Sequence, residues 1–226
     1  MNVLITGHSK GVGKQITEIL LDKGVFVTGI ARTEIKSHQN LIQYQIDLSK
    51  ETEILKICNI LHKNKFDVVI LNAGYNLIKP AESYSLEEII KITNVNYTAN
   101  ALILRTCLPN LLKLKGKIIG IGSVSGKEIT KWNNYYGSAK AALNHLLNNY
   151  FEQYRKQGLK VTTIIPDIIN SEFYNQQEFE PSKDPETYIA IKDVSDLVID
   201  IIFSNKSYII NEIVIKPQRF ELSRKK

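Results

Sequence analysis

The sequence predicts an α/β fold: a mostly parallel, doubly wound β-sheet of about seven strands with helices on both faces, giving three α/β/α layers. One observation behind this prediction is that short apolar runs alternate with longer segments of helical period along the whole chain. Another is that several runs, such as VVIL at 68–71 and KIIGI at 117–121, are apolar without polar alternation. Such runs are typical of strands that are buried on both faces of a sheet.

Seven strands and five helices follow from these patterns. The predicted strands are the apolar runs at residues 2–6, 25–31, 41–46, 68–72, 117–123, 160–166 and 212–217. The predicted helices lie near residues 12–23, 50–63, 85–112, 136–157 and 193–204. The third helix begins with a capping box, in which Ser85 and Glu88 satisfy free backbone amides of the first turn.

The chain length predicts one domain over residues 1–226, because 226 residues with 43% hydrophobic content can bury a single ample core. Only residues 167–192 lack a clear period, and they are rich in Asn, Gln, Glu and Pro. This segment follows a predicted strand, so it lies at the carboxyl edge of the sheet, where open α/β sheets bind ligands. We therefore expect residues 167–192 to form a substrate loop.

Composition and charge argue against several other classes of protein. The formal charge is +6, but four basic residues lie at the C-terminus, Arg219, Arg224, Lys225 and Lys226, so we expect a basic tail and no nucleic-acid partner. No apolar run approaches the roughly 18 residues that span a bilayer, and no basic leader precedes the first strand. We expect a cytoplasmic protein that does not bind membranes. Two Cys and four His, none at ligand spacing, predict no metal site.

A glycine-rich turn follows the first predicted strand. Residues 6–14 read TGHSKGVGK, with glycines at positions 7, 11 and 13. Glycine permits positive φ and a close approach of the backbone to a ligand, and a helix N-terminus offers free N–H groups to a phosphate. In the first strand–helix unit of an α/β chain, this turn predicts a site for the pyrophosphate of a dinucleotide. A purely structural tight turn is the alternative.

Tyr136 and Lys140 are one helical turn apart, so the ammonium can lie beside the phenol. A close positive charge lowers the pKa of a tyrosine from its usual value of about 10. Such a tyrosine can protonate a carbonyl oxygen as hydride arrives at the carbon, or accept a proton in the reverse direction. Ser123, at the end of the fifth predicted strand, can donate a hydrogen bond to the same oxygen.

The ordered set of motifs resembles the short-chain dehydrogenases/reductases. The set comprises Thr6-Gly7-x-x-x-Gly11-x-Gly13, Asn72-Ala73-Gly74, Asn96, Ser123 and Tyr136-x-x-x-Lys140, over roughly the first 170 residues. The resemblance implies a Rossmann-type fold and an NAD(P)-dependent oxidoreductase that acts on CH–OH or C=O groups. It also implies four catalytic roles: Tyr136 is the acid/base, Lys140 lowers its pKa and holds the nicotinamide ribose, Ser123 polarises the substrate, and Asn96 steadies a water in the proton relay.

The same resemblance implies which residues contact the cofactor. They are Thr6, Gly7, Ser9, Lys10, Gly11, Val12, Gly13, Arg32, Asp47, Leu48, Asn72, Ala73, Gly74, Tyr136, Lys140, Pro166, Ile169 and Ser171. Among them, Asp47 and Leu48 are expected to flank the adenine, and Asn72 to line the cofactor cleft.

The residues after the second strand favour NADP(H) over NAD(H). An acid at the end of that strand would bind the ribose hydroxyls of NAD. Here Ala31 and Arg32 stand at that position, and Lys10 is a second base expected near the same ribose. Two cations fit a 2′-phosphate. Glu34 is the counter-argument, because a slightly longer strand would bring its carboxylate to the ribose and favour NAD.

The resemblance weakens after the sixth strand. The family usually has Pro-Gly there, followed by a Thr, whereas this chain has Pro166-Asp167 and then Ser171. The Ser171 hydroxyl can replace that of Thr, but Asp167 in place of Gly is expected to alter the local turn. Its carboxylate either contacts substrate or, as the favoured alternative, belongs to an ordinary surface turn. The chain also ends soon after the seventh strand, which predicts a pocket more open than is usual in the family.

The leading functional prediction is an oxidoreductase that reduces a carbonyl, or oxidises a secondary alcohol, of a small polar substrate with NADP(H). One alternative is a dinucleotide-binding scaffold or regulatory protein without catalysis, against which the complete Asn96, Ser123, Tyr136 and Lys140 set argues. Another is a sugar-nucleotide-modifying enzyme, against which the chain length and the glycine spacing argue. By resemblance we expect a homodimer or homotetramer, formed through the long helices around 96–112 and 136–157.

Overall fold

A computed structural model describes residues 1–175 and 177–225, and it contains nine strands and six α-helices within those ranges. The strands are β1 (Asn2–Thr6), β2 (Phe26–Ala31), β3 (Leu41–Gln45), β4 (Val68–Leu71), β5 (Lys117–Ile121), β6 (Lys160–Pro166), β7 (Phe179–Pro181), β8 (Glu212–Ile215) and β9 (Leu222–Arg224). The α-helices are α1 (Gly11–Asp22), α2 (Glu51–Leu61), α3 (Leu86–Thr93), α4 (Ala99–Leu114), α5 (Asn134–Tyr154) and α6 (Ile191–Phe203). Gln176 of the predicted substrate loop and Lys226 of the predicted tail lie outside the described residues.

Seven strands form one parallel sheet in the order β3-β2-β1-β4-β5-β6-β8. This order confirms the predicted doubly wound α/β fold. The order in which successive strands are added reverses at β1, whose parallel neighbours are β2 on one side and β4 on the other. In open α/β sheets such a switch point leaves a crevice at the carboxyl ends of the strands, and ligands bind in it.

The two faces of the sheet are covered by different helices, because successive side chains of a strand point to opposite faces. Leu4 packs in a core cluster with residues of α2, α4 and α5, whereas the adjacent Ile5 packs in a second cluster with residues of α1 and α6. Leu4 and Ile5 are both fully buried. Burial of one such side chain contributes about 1.5–3 kcal/mol, which explains why the central strands are apolar on both faces.

The predicted helix over 85–112 is divided by a π-helical turn, Asn94–Thr98, between α3 and α4. The capping box predicted at its start is present: Ser85 Oγ accepts from Glu88 N at 3.3 Å, and Glu88 Oε2 accepts from Ser85 N at 2.8 Å. Short π turns inside helices frequently occur at functional sites. Here the turn carries Asn96.

The predicted basic tail and substrate loop are joined in a two-stranded antiparallel sheet. Strand β9, in the tail, pairs with β7, in the loop, with Pro181 opposite Leu222. Lys225 Nζ donates to the carbonyl oxygens of Tyr174 (2.6 Å) and Asn175 (3.1 Å). Within the described residues up to 225, the predicted basic tail is therefore tied to the substrate loop by strand pairing and by hydrogen bonds. Each strand has only three residues, too few for an alternating pattern to be visible in the sequence.

Two further observations concern the described ranges. Among those residues, no helix combines the length and the apolar character required to cross a bilayer. The same residues include no group of three His, Cys, Asp or Glu side chains arranged to hold a metal ion.

Candidate functional site

A cleft of about 1340 Å³ opens at the carboxyl edge of the sheet, at the switch point. Its wall includes the turn that follows β1, the segment after β2, the residues after β4 and β5, and one face of α5. The glycine turn and the Ser123, Tyr136 and Lys140 side chains therefore lie along one continuous cavity. This arrangement places a predicted phosphate site and a predicted acid/base group in reach of one elongated ligand.

The glycine turn is folded tightly against the start of α1. Gly7 and Gly11 have positive φ angles of 71° and 51°, which L side chains rarely adopt. A Cβ on Gly13 would lie 2.1 Å from the carbonyl oxygen of Gly7, so this position has no room for a side chain. Gly11 differs from Gly13, because a Cβ there would meet only Ser171, at 3.8 Å. Gly11 leaves open space towards the cleft, and Gly13 closes the turn behind it.

The N-terminus of α1 offers free backbone donors to this space. Its N-cap residue, Lys10, provides no side-chain cap, and the first helical hydrogen bond runs from Lys14 N to Lys10 O at 3.1 Å. Within the described residues, the N–H groups of Gly11 and Val12 have no acceptor, and both residues line the cleft. Free amides and the positive end of the helix dipole fit a pyrophosphate.

Asn72 and Thr6 fix the shape of the turn. Thr6 Oγ1 accepts from the N–H groups of Asn72 and Ala73, both at 3.0 Å. In return, Asn72 Nδ2 donates to the carbonyl oxygens of Thr6 (3.0 Å) and Gly7 (3.2 Å). These bonds join the end of β4 to the turn after β1. Thr6 is fully buried and, like Gly13, is not on the cleft wall, so both residues shape the site from behind.

The acid/base group predicted from the sequence is assembled on β5 and α5. Ser123 follows β5 and accepts from Ser125 N at 3.2 Å. Tyr136 and Lys140 lie one turn apart on α5, and Lys140 Nζ is 5.8 Å from the centre of the Tyr136 ring. Phe173, in the substrate loop, packs against Tyr136, and the centroids of the two rings are 6.0 Å apart. All four side chains line the cleft.

Burial governs the pKa values of this group. Burial raises the pKa of Tyr136 to about 12, and a hydrogen bond with Ser123 acts in the opposite direction. Burial also lowers the pKa of Lys140 to about 8. The sequence predicts a tyrosine pKa lowered by Lys140, so this structure shows the opposite direction. The physical reason is that removing both groups from water disfavours their charged forms.

Asn96 lies behind the cleft wall and not on it. It is fully buried, its Nδ2 donates to Tyr75 O (2.7 Å) and Ile92 O (2.8 Å), and its Oδ1 accepts from Tyr75 N at 3.3 Å. A Cβ on Gly74 would lie 3.5 Å from Asn96 Oδ1. The side chain therefore anchors the 74–75 backbone to the π turn. A bound water at Asn96 stays a prediction.

The far end of the cleft carries the residues predicted to contact the adenosine half of the cofactor. Ser9, Lys10, Arg32, Asp47 and Leu48 all line it. Hydrogen bonds from Ser49 N (3.0 Å) and Ser49 Oγ (2.8 Å) reach Asp47 Oδ1.

Burial raises the pKa of Asp47, but these Ser49 bonds and the charges of Arg32 and Lys50 outweigh it and give a lowered value. Glu34, the residue that would favour NAD, is exposed and does not line the cleft. Lys10 Nζ forms an exposed ion pair with Glu172 at 3.6 Å.

Pro166, Ile169 and Ser171 line the cleft after β6, as do Ala73 and Gly74 after β4. Asp167, the residue that departs from the family pattern, also lines it, and its N–H donates to Ile215 O at 3.0 Å. Burial raises the pKa of Asp167; the positive charge of Lys216 opposes this shift and the negative charge of Glu128 adds to it. Asp167 therefore continues the edge of the sheet and presents a half-buried carboxyl group to the cleft.

Sequence reasoning missed the part of the cleft wall that comes from the C-terminal segment. Lys216, Phe220 and Leu222 line the cleft, and Lys216 Nζ pairs with Glu128 Oε1 at 2.5 Å. The C-terminal segment therefore forms part of the cleft wall, and a pocket more open than is usual in the family stays a prediction. The sequence of this C-terminal segment contains no pattern that indicates a place on the cleft wall. Trp132, which lies between Ser123 and Tyr136 in the sequence, also lines the cleft and has a positive φ of 60°.

A doubly wound sheet with a glycine turn, free helix amides and a Ser, Tyr and Lys group on one cleft defines the class of dinucleotide-binding oxidoreductases. Residues 1–181 match the family model for short chain dehydrogenase, and the chain belongs to the short-chain dehydrogenase family. An uncharacterized oxidoreductase of Staphylococcus epidermidis is 26% identical over 224 residues, covering 95% of this chain and 96% of the relative.

Solved structures agree with this fold. The alcohol dehydrogenase from the archaeon Thermococcus sibiricus, complexed with 5-hydroxy-NADP, superposes with a TM-score of 0.84 at 22% identity, covering 97% of this chain and 98% of that one. A 4-hydroxyisoleucine dehydrogenase complexed with NADH and succinate gives a TM-score of 0.82 at 25% identity, with coverage of 95% and 97%. Related structures thus contain NADP-type or NAD-type cofactors.

Proposed function

We propose that the protein reduces a carbonyl, or oxidises the corresponding secondary alcohol, of a small polar substrate with NADP(H). One observation carries this proposal: Ser123, Tyr136 and Lys140 line the same cleft as the open glycine turn. A binding scaffold would have no need for a buried acid/base group at a fixed distance from a phosphate site. The nicotinamide, when bound, supplies the hydride or accepts it.

Tyr136 acts as the proton donor in the reductive direction. With a pKa raised to about 12, its hydroxyl stays protonated at working pH and can transfer its proton to the substrate oxygen. Ser123 lies beside it and donates a hydrogen bond to the same oxygen, which stabilises the negative charge that develops there. The ammonium of Lys140, held within the same buried region, then stabilises the tyrosinate that remains.

Arg32 and Lys10 support the choice of NADP(H). Both cationic side chains line the adenosine end of the cleft, whereas the carboxylate of Glu34 does not. A 2′-phosphate carries the charge that two such cations bind well, and it would compete with Glu172 for Lys10.

Assembly as a homodimer or homotetramer through α4 and α5 is part of the proposal. The family resemblance supports it, and so do the half-buried apolar side chains that these helices carry, including Leu108, Leu112, Tyr150 and Tyr154. Light scattering of the purified protein would measure the mass, and a monomer would overturn this part.

Calorimetric titration of the purified protein with NADPH and NADH, side by side, tests the cofactor. We expect clear preference for NADPH, after which carbonyl compounds are screened as oxidants of NADPH. Tighter binding of NADH would move the ribose contact to Glu34. Binding of neither would favour a scaffold that has kept the fold without the chemistry.

A further inference from the structure

His8, the third residue of the glycine turn, is fully buried, and the catalytic mechanism does not use it. Its ring lies against β2 at Gly29, where an added Cβ would be 2.4 Å from the ring Cγ. No side chain fits at position 29 while His8 keeps this place. The close packing of His8 on Gly29 explains why β2 contains a glycine. It also places the imidazole of the glycine turn against β2.

The polar end of the His8 ring connects to the segment that follows β2. His8 Nε2 is 2.8 Å from Gln43 Oε1, and the same oxygen accepts from Ile35 N at 2.8 Å. Gln43 Nε2 donates to Ile35 O at 3.1 Å. Because the Ile35 N–H can only donate, Gln43 Oε1 is an acceptor, and His8 must carry a proton on Nε2. The three residues form a chain of bonds with one consistent set of donors and acceptors, which we call the His8 relay.

The relay anchors residues 32–35, which we call the ribose segment. Arg32, Thr33 and Glu34 are all exposed, and Arg32 and Thr33 line the cleft. Within the described residues, one other side-chain hydrogen bond joins this segment to the glycine turn. It is the exposed bond between Ser9 Oγ and Thr33 Oγ1, at 2.9 Å. The bonds from Gln43 to Ile35 are better shielded from water, so they hold the segment more firmly than the exposed bond does.

We propose that the His8 relay sets cofactor selectivity, by holding the ribose segment where Arg32 meets the 2′-phosphate of NADP(H). This inference rests on the proposed function. An arginine on a segment that is already ordered loses less conformational entropy when it binds a phosphate. NADH has no 2′-phosphate, so it gains little from the fixed position of Arg32. His8 and Gln43 are thus positioning residues that act through Arg32.

Gln43→Leu tests the relay, because it removes both bonds to Ile35 and the acceptor for His8. We expect the Kd of the full chain for NADPH to rise about fivefold to tenfold in calorimetry, and the Kd for NADH to stay within about twofold. Gln45→Leu is the matched control, since Gln45 is an exposed glutamine two positions further along β3. It should leave both Kd values unchanged. Gln43→Glu keeps an acceptor for His8 and for Ile35 N–H but loses the donor to Ile35 O, so it should retain only part of the preference.

The outcomes distinguish a failure of the relay proposal from a failure of the NADP(H) proposal. If the wild type prefers NADPH and Gln43→Leu keeps that ratio, the relay proposal is overturned and the NADP(H) proposal stands. An equal loss of affinity for both cofactors would show a general structural role and also overturn the relay. If the wild type prefers NADH, the cofactor proposal fails and the relay's selectivity role fails with it. Should Gln43→Leu not fold, as judged by thermal unfolding, Gln43→Met replaces it with an unbranched side chain of similar length.

Discussion

Lys140 donates a hydrogen bond to the carbonyl oxygen of Ile121, at 2.7 Å, and so fastens α5 to the end of β5. Ile121 precedes Ser123 by two residues, and Lys140 follows Tyr136 by one helical turn. The bond therefore fixes the strand that carries the hydroxyl donor relative to the helix that carries the acid/base. It also holds the ammonium in a buried place, 5.8 Å from the Tyr136 ring centre, where water screens its charge weakly.

Replacing Tyr136 with Phe should abolish measurable turnover while it leaves cofactor binding intact. The change removes the proton donor but keeps the ring that packs on Phe173. We expect kcat for carbonyl reduction to fall at least about 100-fold, the usual contribution of a positioned acid. Steady-state kinetics and NADPH titration measure the two effects.

Tyr135→Phe is the matched control for Tyr136→Phe. Tyr135 stacks edge-on against Tyr84, with centroids 4.9 Å apart, and does not line the cleft. Its variant should keep the wild-type rate. Wild-type turnover in Tyr136→Phe would show that the acid/base has been assigned to the wrong residue.

The pH profile of the reduction should show the ionisation of Lys140. Its pKa is lowered to about 8 and that of Tyr136 is raised to about 12, so between these values the tyrosine keeps its proton while the lysine loses its charge. We expect kcat/KM, which reflects ionisations of the free enzyme, to be constant below about pH 8. Above that pH it should fall about tenfold per pH unit.

Lys140→Met should be slow at every pH and should lack the descending limb of this profile. The reason is that the ammonium stabilises the tyrosinate left after proton transfer, and methionine carries no charge to lose. A limb with the same midpoint in this variant would assign the ionisation to a group other than Lys140.

The seven-stranded sheet and the order of the site motifs along the chain could be predicted from the sequence. Strand β4 is a continuous apolar run and β1 has three apolar residues at its centre, so their burial on both faces follows from composition alone. The π turn at 94–98 was missed because the helical period continues through it. The β7–β9 pairing depends on contacts between distant residues, and three-residue strands have no readable period. The raised pKa of Tyr136 depends on burial, which the i, i+4 spacing to Lys140 does not reveal.

Gly13→Ala should destabilise the fold and weaken cofactor binding together. The added methyl group would lie 2.1 Å from Gly7 O and 2.4 Å from Asn72 Nδ2, so the turn and the end of β4 must separate. We expect a loss of about 1–3 kcal/mol in the free energy of unfolding, typical of overpacking. Chemical denaturation measures this loss. Lys14→Ala, an exposed neighbour in α1, should change it by less than about 0.5 kcal/mol. Equal stabilities of the two variants would contradict the tight closure of the turn.

Removing residues 221–226 should loosen the substrate loop. The shortened chain lacks β9, so β7 loses its only strand partner in the described chain, and Tyr174 and Asn175 lose their bonds to Lys225. The ion pair between Arg224 and Glu178 disappears as well. We expect faster cleavage within residues 171–187 in limited proteolysis and a KM for the carbonyl substrate raised about fivefold, because ordering the loop must then be driven by substrate binding. A chain shortened only by the last residue keeps these contacts and should behave as the wild type. If removing residues 221–226 changes neither the cleavage rate nor KM, the C-terminal strand contributes nothing to the order of the loop.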